Sequence, residues 1–191
     1  MIEVKELYKA FGEKVILNGV NLHLHEGENL GILGKSGSGK SVLTKCIVRL
    51  IEPDYGKINV LGKDILKMST NELNNIRKDI GYLFQGGALY DSMSVRENLE
   101  FPIRRTQMAS YKQEVNERVE QALRSVGLLD AIDKMPGELS GGMKKRIGLA
   151  RALILRPKVI LYDEPTTGLD SVTSGEISEL IVKVQEEYNA S

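Results

Sequence analysis

The chain has 191 residues, 41% of them hydrophobic and 27% charged, and its 26 basic and 26 acidic side chains cancel to a formal net charge of zero. That balance suits one globular domain with a sizeable core and leaves no overall basic footprint for nucleic acid. The single cysteine, Cys46, excludes an internal disulfide and a Cys-rich zinc site, and no stretch approaches the roughly 18 apolar residues of a membrane span.

The N-terminal segment Met1–Lys14 mixes charges without an apolar stretch, so no signal peptide is expected and the chain is placed in the cytoplasm. Ile2–Leu7 and Val15–Leu24 alternate about a turn at Gly12 and predict two strands, and Asn29–Leu33 predicts a third running into glycines. Ser41–Leu50 reads as a helix, broken by Glu52-Pro53-Asp54-Tyr55-Gly56. Lys57–Val60 and Ile80–Phe84 read as strands. From Ser94 to about Lys134 the pattern is helical, with Val115, Val119, Ala122, Leu123 and Val126 on one apolar face. A helix over Gly142–Leu155, an apolar strand Val159–Tyr162 and a helix from about Val172 to Glu187 complete the chain. Strands alternating with helices predict an α/β fold with a mainly parallel sheet and a helical insertion.

Gly34-Lys35-Ser36-Gly37-Ser38-Gly39-Lys40-Ser41 fits G-x-x-x-x-G-K-[ST], with an expected strand before it and a helix after it. The glycines let the loop turn its N–H groups inward toward phosphate oxygens, and the helix adds its positive end. Lys40 can bridge the β- and γ-phosphates of a nucleotide, and the Ser41 hydroxyl can ligate Mg²⁺. The strand Val159–Tyr162 then delivers Asp163 and Glu164 at its C-terminal end, where open α/β sheets bind ligands. Asp163 is the expected Mg²⁺ partner, and Glu164 the group that orients and deprotonates the attacking water.

Those two motifs fit many nucleotide hydrolases. Leu139-Ser140-Gly141-Gly142-Met143, opening a helix 23 residues before Asp163, resembles the signature of ABC ATPases. The resemblance implies a P-loop (RecA-like) NTPase fold with an N-terminal antiparallel β part, and a head-to-tail homodimer sandwiching ATP and Mg²⁺. In it Ser140, Gly141 and Gly142 bind the γ-phosphate held by the opposite subunit. It also implies that Gln85 senses Mg²⁺ and the attacking water, that Phe11 stacks on adenine, and that Asp170, in Gly168-Leu169-Asp170, crosses the dimer interface. As one domain, 1–191, the chain would divide into a nucleotide-binding core (1–86 and 156–191) and a helical signature subdomain (87–155). The family's switch histidine lies about one strand beyond the last helix, so the domain is expected to be incomplete at its C-terminus and unable to run the ATPase cycle by itself.

Phe84-Gln85-Gly86-Gly87-Ala88-Leu89-Tyr90-Asp91-Ser92-Met93-Ser94-Val95, Asn98, Phe101-Pro102 and Met143 resemble the Mla/Mce-associated ATPases of phospholipid transport. This implies integral-membrane permease subunits and an Mce-domain substrate-binding protein as partners, with the chain peripheral on the inner membrane. Tyr90, Met93, Leu99 and Phe101 are then expected to receive a permease helix. A soluble ABC-type ATPase acting on DNA or ribosomes is the alternative; no sustained heptads lie between Ser41 and Ser140, and one cysteine forbids zinc modules. A module that holds ATP without cleaving it is a third reading, opposed by Glu164. His23 and His25 alternate with leucines as the exposed side of a strand. Cys46 reads as a small core residue. Lys144-Lys145-Arg146 reads as a solvated or interface cluster, not a nucleic-acid site.

Overall fold

Alternating side chains around Gly12, whose φ is +58°, build an antiparallel pair from β1 (Ile2–Phe11) and β2 (Lys14–Leu24). Ile2 lies opposite Leu24 and Val4 opposite Leu22, so the apolar residues share one face. β3 (Tyr55–Val60) pairs antiparallel to the other edge of β1, with Ile58 opposite Val4, and the short β4 (Lys63–Asp64) follows, in the order β2-β1-β3-β4. Ile2, Val4, Leu7, Ile58 and Val60 are all buried beneath this sheet. His23 on β2 and His25 just beyond it are exposed and stack with ring centroids 4.2 Å apart.

The computed structural model describes residues 1–106, 111–188 and 190–191. They form two compact units: Met1–Ile80 with 190–191, and the described residues from Gly81 to Tyr188.

In the first unit, α1 (Lys40–Ile47) buries Leu43, Cys46 and Ile47. It ends earlier than the expected Leu50 because Arg49 turns left-handed, φ +53°. α2 (Thr70–Ile76) opens on a reciprocal cap: Ser69 N–H donates to Glu72 Oε2 at 2.9 Å, and Glu72 N–H to Ser69 Oγ at 3.4 Å. The Ser69 hydroxyl and amide hold the Glu72 carboxyl below its usual range. The strand expected over Asn29–Leu33 is not formed. A strand exists through its ladder of hydrogen bonds, and no described strand pairs with these residues, so Leu30, Ile32 and Leu33 are exposed, Leu33 at 96%.

In the second unit, β5 (Ile80–Leu83), which begins at the boundary, is the hydrogen-bonded neighbour of β6 (Val159–Tyr162). Between them come α3 (Val95–Thr106), α4 (Lys112–Ser125) and α5 (Gly141–Leu153), and α6 (Ser171–Tyr188) follows. Residues 107–110 of the expected helical stretch lie outside the described residues. The predicted apolar face of α4 is buried at Val119, Ala122, Leu123 and Val126. α5 packs on α3, α4 and α6. Gly148 of α5 lets the backbone at Gly87 come close: a Cβ at 148 would lie 3.0 Å from Gly87 Cα.

Asn98, fully buried in α3, fixes the loop ahead of that helix. Its amide nitrogen donates to the carbonyls of Tyr90, Met93 and Ser94 at 3.0–3.1 Å, while its oxygen accepts from Tyr90 N–H at 2.8 Å. Of the four residues expected to face a permease, Leu99 is a core residue, fully buried, because it shares the inner face of α3 with Ile103. Tyr90 is 46% exposed, Met93 and Phe101 are half-buried, and the Tyr90 and Phe101 rings meet at 5.2 Å.

Candidate functional site

The glycine-rich loop of the first unit curls tightly because small residues occupy its turns. Gly37 and Gly39 have φ of +76° and +98°. A Cβ at Gly39 would meet Ile16 Cγ2 at 2.9 Å, and one at Gly34 would meet Ser38 Oγ at 2.6 Å. Ser38 N–H donates to Lys35 O at 3.2 Å, and Ser36, between them, is exposed. The Lys40 ammonium turns back over the loop, donating to Gly34 O at 3.0 Å and Lys35 O at 3.1 Å. α1 carries no acidic residue in its first turn, so its positive end is not offset. Ser41 stands half-buried on that turn. Loop amides, an ammonium, a helix N-terminus and a hydroxyl together are the donor set of a phosphate chain with a bound hard cation. Phe11, at the end of β1, is 51% exposed with the Lys9 ammonium 5.3 Å from its ring centroid.

In the second unit, β6 hands over to the acidic pair. Asp163 is 4% exposed; its N–H continues the ladder to Leu83 O at 2.9 Å, and Tyr82 donates to its Oδ2 at 3.4 Å. Glu164 turns sharply, φ +49°, a left-handed conformation uncommon outside glycine. That turn aims its carboxylate at two donors: Gln85 Nε2 at 3.1 Å and the Thr167 hydroxyl at 3.2 Å. Among the described residues no group of three or more His, Cys, Asp or Glu gathers as a cation site. At the end of β6 the buried Asp163 carboxylate offers oxygen ligands, the donor type that a hard cation such as Mg²⁺ takes.

Ser140 caps α5, its Oγ accepting from Met143 N–H at 3.2 Å, and Ser140 and Gly141 are exposed. Gly142 is crowded: a Cβ there would lie 2.8 Å from Thr173 Cγ2. Asp170 accepts from Val172 N–H at 3.1 Å, Thr173 N–H at 3.0 Å and the Thr173 hydroxyl at 2.6 Å. The Thr173 bonds hold the Asp170 carboxyl below its usual range. Both residues thus also serve their own helices.

Two cations of α5 hold backbone carbonyls: Lys145, from the run expected to be a solvated or interface cluster, and Arg151, which the sequence reading did not single out. Lys145 is 5% exposed, and its ammonium donates to Thr167 O at 2.5 Å and Glu164 O at 3.5 Å. Burial pulls its pKa down, opposed by the Glu164 charge. Arg151 donates to Ala88 O at 2.8 Å and Gly87 O at 3.1 Å, bracing the loop after Gln85, with its guanidinium 5.8 Å from the Tyr90 ring centroid. Arg146 of the basic run pairs with Glu176 at 2.6 Å. Helical spacing carries the missing signal: Lys145 stands three and four residues before buried Gly148 and Leu149 and shares their stripe.

Residues 17–167 match the family model described as ABC transporter. The chain is 44% identical to the chloroplast protein TRIGALACTOSYLDIACYLGLYCEROL 3 of Arabidopsis thaliana, over 96% of this chain and 55% of that protein. It is 44% identical to the probable ribonucleotide transport ATP-binding protein mkl of Mycobacterium leprae (100% and 54%), and 40% identical to the methionine import ATP-binding protein MetN of Clostridium tetani (98% and 58%). The chain thus spans about half the length of these curated relatives. Among solved structures, an ATP-binding cassette in a dimeric post-hydrolysis state with ADP and Pi superposes with a TM-score of 0.88 at 36% identity, over 98% of this chain and 84% of that one. The cbiO1 protein of Clostridium perfringens, part of the ABC transporter complex cbiONQ, gives 0.86 at 34% identity, over 98% and 74%. The fold is that of the P-loop NTPase cassettes, α/β with an antiparallel N-terminal part. The chain belongs to the ABC transporter family.

Proposed function

We propose that the protein containing this chain binds and hydrolyses ATP to power a membrane transporter. The observation that carries this is the Glu164 carboxylate, held by Gln85 and Thr167 immediately after the buried Asp163. Lys40 and the amides of residues 34–39 hold the β- and γ-phosphates, and Phe11 takes the adenine face. Ser41, Gln85 and Asp163 hold Mg²⁺, which neutralises charge on the phosphates when bound. Glu164 accepts a proton from water as its oxygen attacks the γ-phosphorus; the bond to the β-bridging oxygen breaks, leaving ADP and inorganic phosphate. Ser140, Gly141, Gly142 and Asp170 serve a nucleotide across a head-to-tail homodimer, as the dimeric neighbour supports. Residues 87–155 form the helical signature subdomain, and 1–86 with 156–191 the nucleotide-binding core.

The transporter's cargo is a phospholipid or related lipid. In support stand the Tyr90–Val95 segment and Met143, together with the trigalactosyldiacylglycerol in the name of one relative; other relatives' names print ribonucleotide transport and methionine import. No described helix is long and apolar enough to cross a membrane, so an integral-membrane permease, with an Mce-domain protein as its substrate-binding partner, makes the connection. The chain sits on the cytoplasmic side of the inner membrane, and Tyr90, Met93 and Phe101 face the permease helix.

Phosphate release from ATP by the full-length protein tests the enzymatic reading, and absence of Mg²⁺-dependent release overturns it. Co-purification from detergent-solubilised membranes with a permease that moves phospholipid between vesicles is the expected second result. Co-purification with nucleic acid or ribosomes instead favours a soluble ABC-type ATPase.

A further inference from the structure

A buried lysine needs a reason, because removing an ammonium from water costs several kcal/mol unless its donors are satisfied. Among the described residues Lys145 has no carboxylate partner at bonding distance; it donates to two main-chain oxygens, Thr167 O at 2.5 Å and Glu164 O at 3.5 Å. Those two carbonyls bracket the turn after β6, which also closes through Thr167 N–H to Glu164 O at 3.3 Å and the Thr167 hydroxyl to Glu164 Oε2 at 3.2 Å. Within this turn Glu164 holds φ at +49°, a conformation that costs free energy and persists only when its surroundings over-determine it.

We infer that Lys145 is a positioning residue for Glu164: from the buried face of α5 its ammonium ties down both ends of the Glu164–Thr167 turn and so keeps the carboxylate aimed toward Gln85. The helix that begins just after Ser140 is thereby connected, through Lys145, to the backbone of the proposed general base. The inference rests on the reading of Glu164 as that base. A cation is suited to this place because one ammonium can serve two carbonyls at once from a helix one layer away, which a neutral donor of similar length reaches with fewer hydrogens. Arginine could retain charge and donors; methionine fills a similar volume without either.

The test compares the full-length wild-type protein with Lys145→Met, Lys145→Gln and Lys145→Arg by two readouts. The first is amide hydrogen exchange at Thr167. Lys145→Met should exchange about tenfold faster there than wild type, whereas Lys145→Arg stays within about threefold. The second is steady-state kinetics. Lys145→Met should lower kcat about tenfold or more with KM for ATP nearly unchanged, and Lys145→Arg should recover most of it. If Lys145→Met fails to fold, Lys145→Gln, which keeps a donor but not the charge, carries the same comparison with smaller effects in the same direction. Unchanged exchange at Thr167 in the folded Met or Gln variant overturns the inference, as does a raised KM with kcat unaltered. A wild-type protein that releases no phosphate overturns the enzymatic reading instead, and Thr167 exchange then decides the role of Lys145 in holding the turn.

Discussion

The side-chain amide of Gln85 donates a 3.1 Å hydrogen bond to the carboxylate of Glu164, although the two stand 79 positions apart in the chain. The pairing exists because β5 and β6 are ladder neighbours, so the residues just beyond their C-terminal ends emerge side by side. Gln85 is exposed and Glu164 partly so, which leaves both within reach of water.

From that pairing, Glu164→Gln in the full-length protein should bind ATP as wild type does while turnover falls about 100-fold or more, the range of a lost general base. The amide keeps the shape and an oxygen to accept from Gln85, but no proton acceptor of useful basicity. Size-exclusion chromatography with ATP and Mg²⁺ should show a persistent dimer. Wild-type turnover in the variant removes Glu164 from the role of base.

Subunit mixing tests action across a dimer. Lys40→Ala removes the ammonium that lies over the phosphate loop, and Ser140→Arg fills the exposed N-terminus of α5. Each homodimer should be inactive. In the mixed dimer one composite site carries both defects and the other neither, so phosphate release should recover to roughly half the wild-type rate per dimer if the sites act independently. No recovery, with mixed dimers shown to form, places Ser140 outside the partner's site.

Gly87 should tolerate no side chain. Its φ is +74°, and a Cβ would lie 2.7 Å from Lys144 O, a backbone atom of α5. Left-handed strain of about 1–2 kcal/mol and overpacking of about 1–3 kcal/mol predict that Gly87→Ala loses about 2–5 kcal/mol in urea denaturation. Gly86, with nothing within 4 Å of a built Cβ, is the internal control, and Gly86→Ala should stay within about 0.5 kcal/mol of wild type. Equal losses in the two variants refute the close approach.

Cys46 gives a pH signature. Its burial raises the thiol pKa from 9.0 to about 11. Between those values the unfolded chain releases the proton and the folded chain retains it, so stability falls as pH rises from about 9 to 11 and is unaffected by this group below 9. At roughly 1.4 kcal/mol per pKa unit the loss is of order 2–3 kcal/mol. Chemical denaturation of wild type and Cys46→Ala across about pH 8–11 isolates it, because other titrating groups act in both. Parallel pH profiles would show that the thiol ionises as freely in the folded protein as in the unfolded one.

Local spacing alone singled out the glycine-rich loop at 34–41 and the acidic pair, because each joins neighbouring residues whose geometry follows from glycine content or a strand end, and resemblance to a family added the segment that opens α5. The periodicity of α4 and the alternation of β1 and β2 were legible for the same reason: one buried face imprints a period on the sequence. Tertiary structure decided what depends on a distant partner. Asn29–Leu33 is apolar like a strand, yet a strand requires a neighbour to complete its hydrogen bonds, and sequence pattern does not supply one. Leu99 and Tyr90 look alike as exposed anchors until the packing of α3 takes the first inward and Asn98 holds the second out. Lys145 reads as one charge in a basic run, and only the approach of α5 to the turn after β6 gives its ammonium two carbonyls to hold and a reason to be buried.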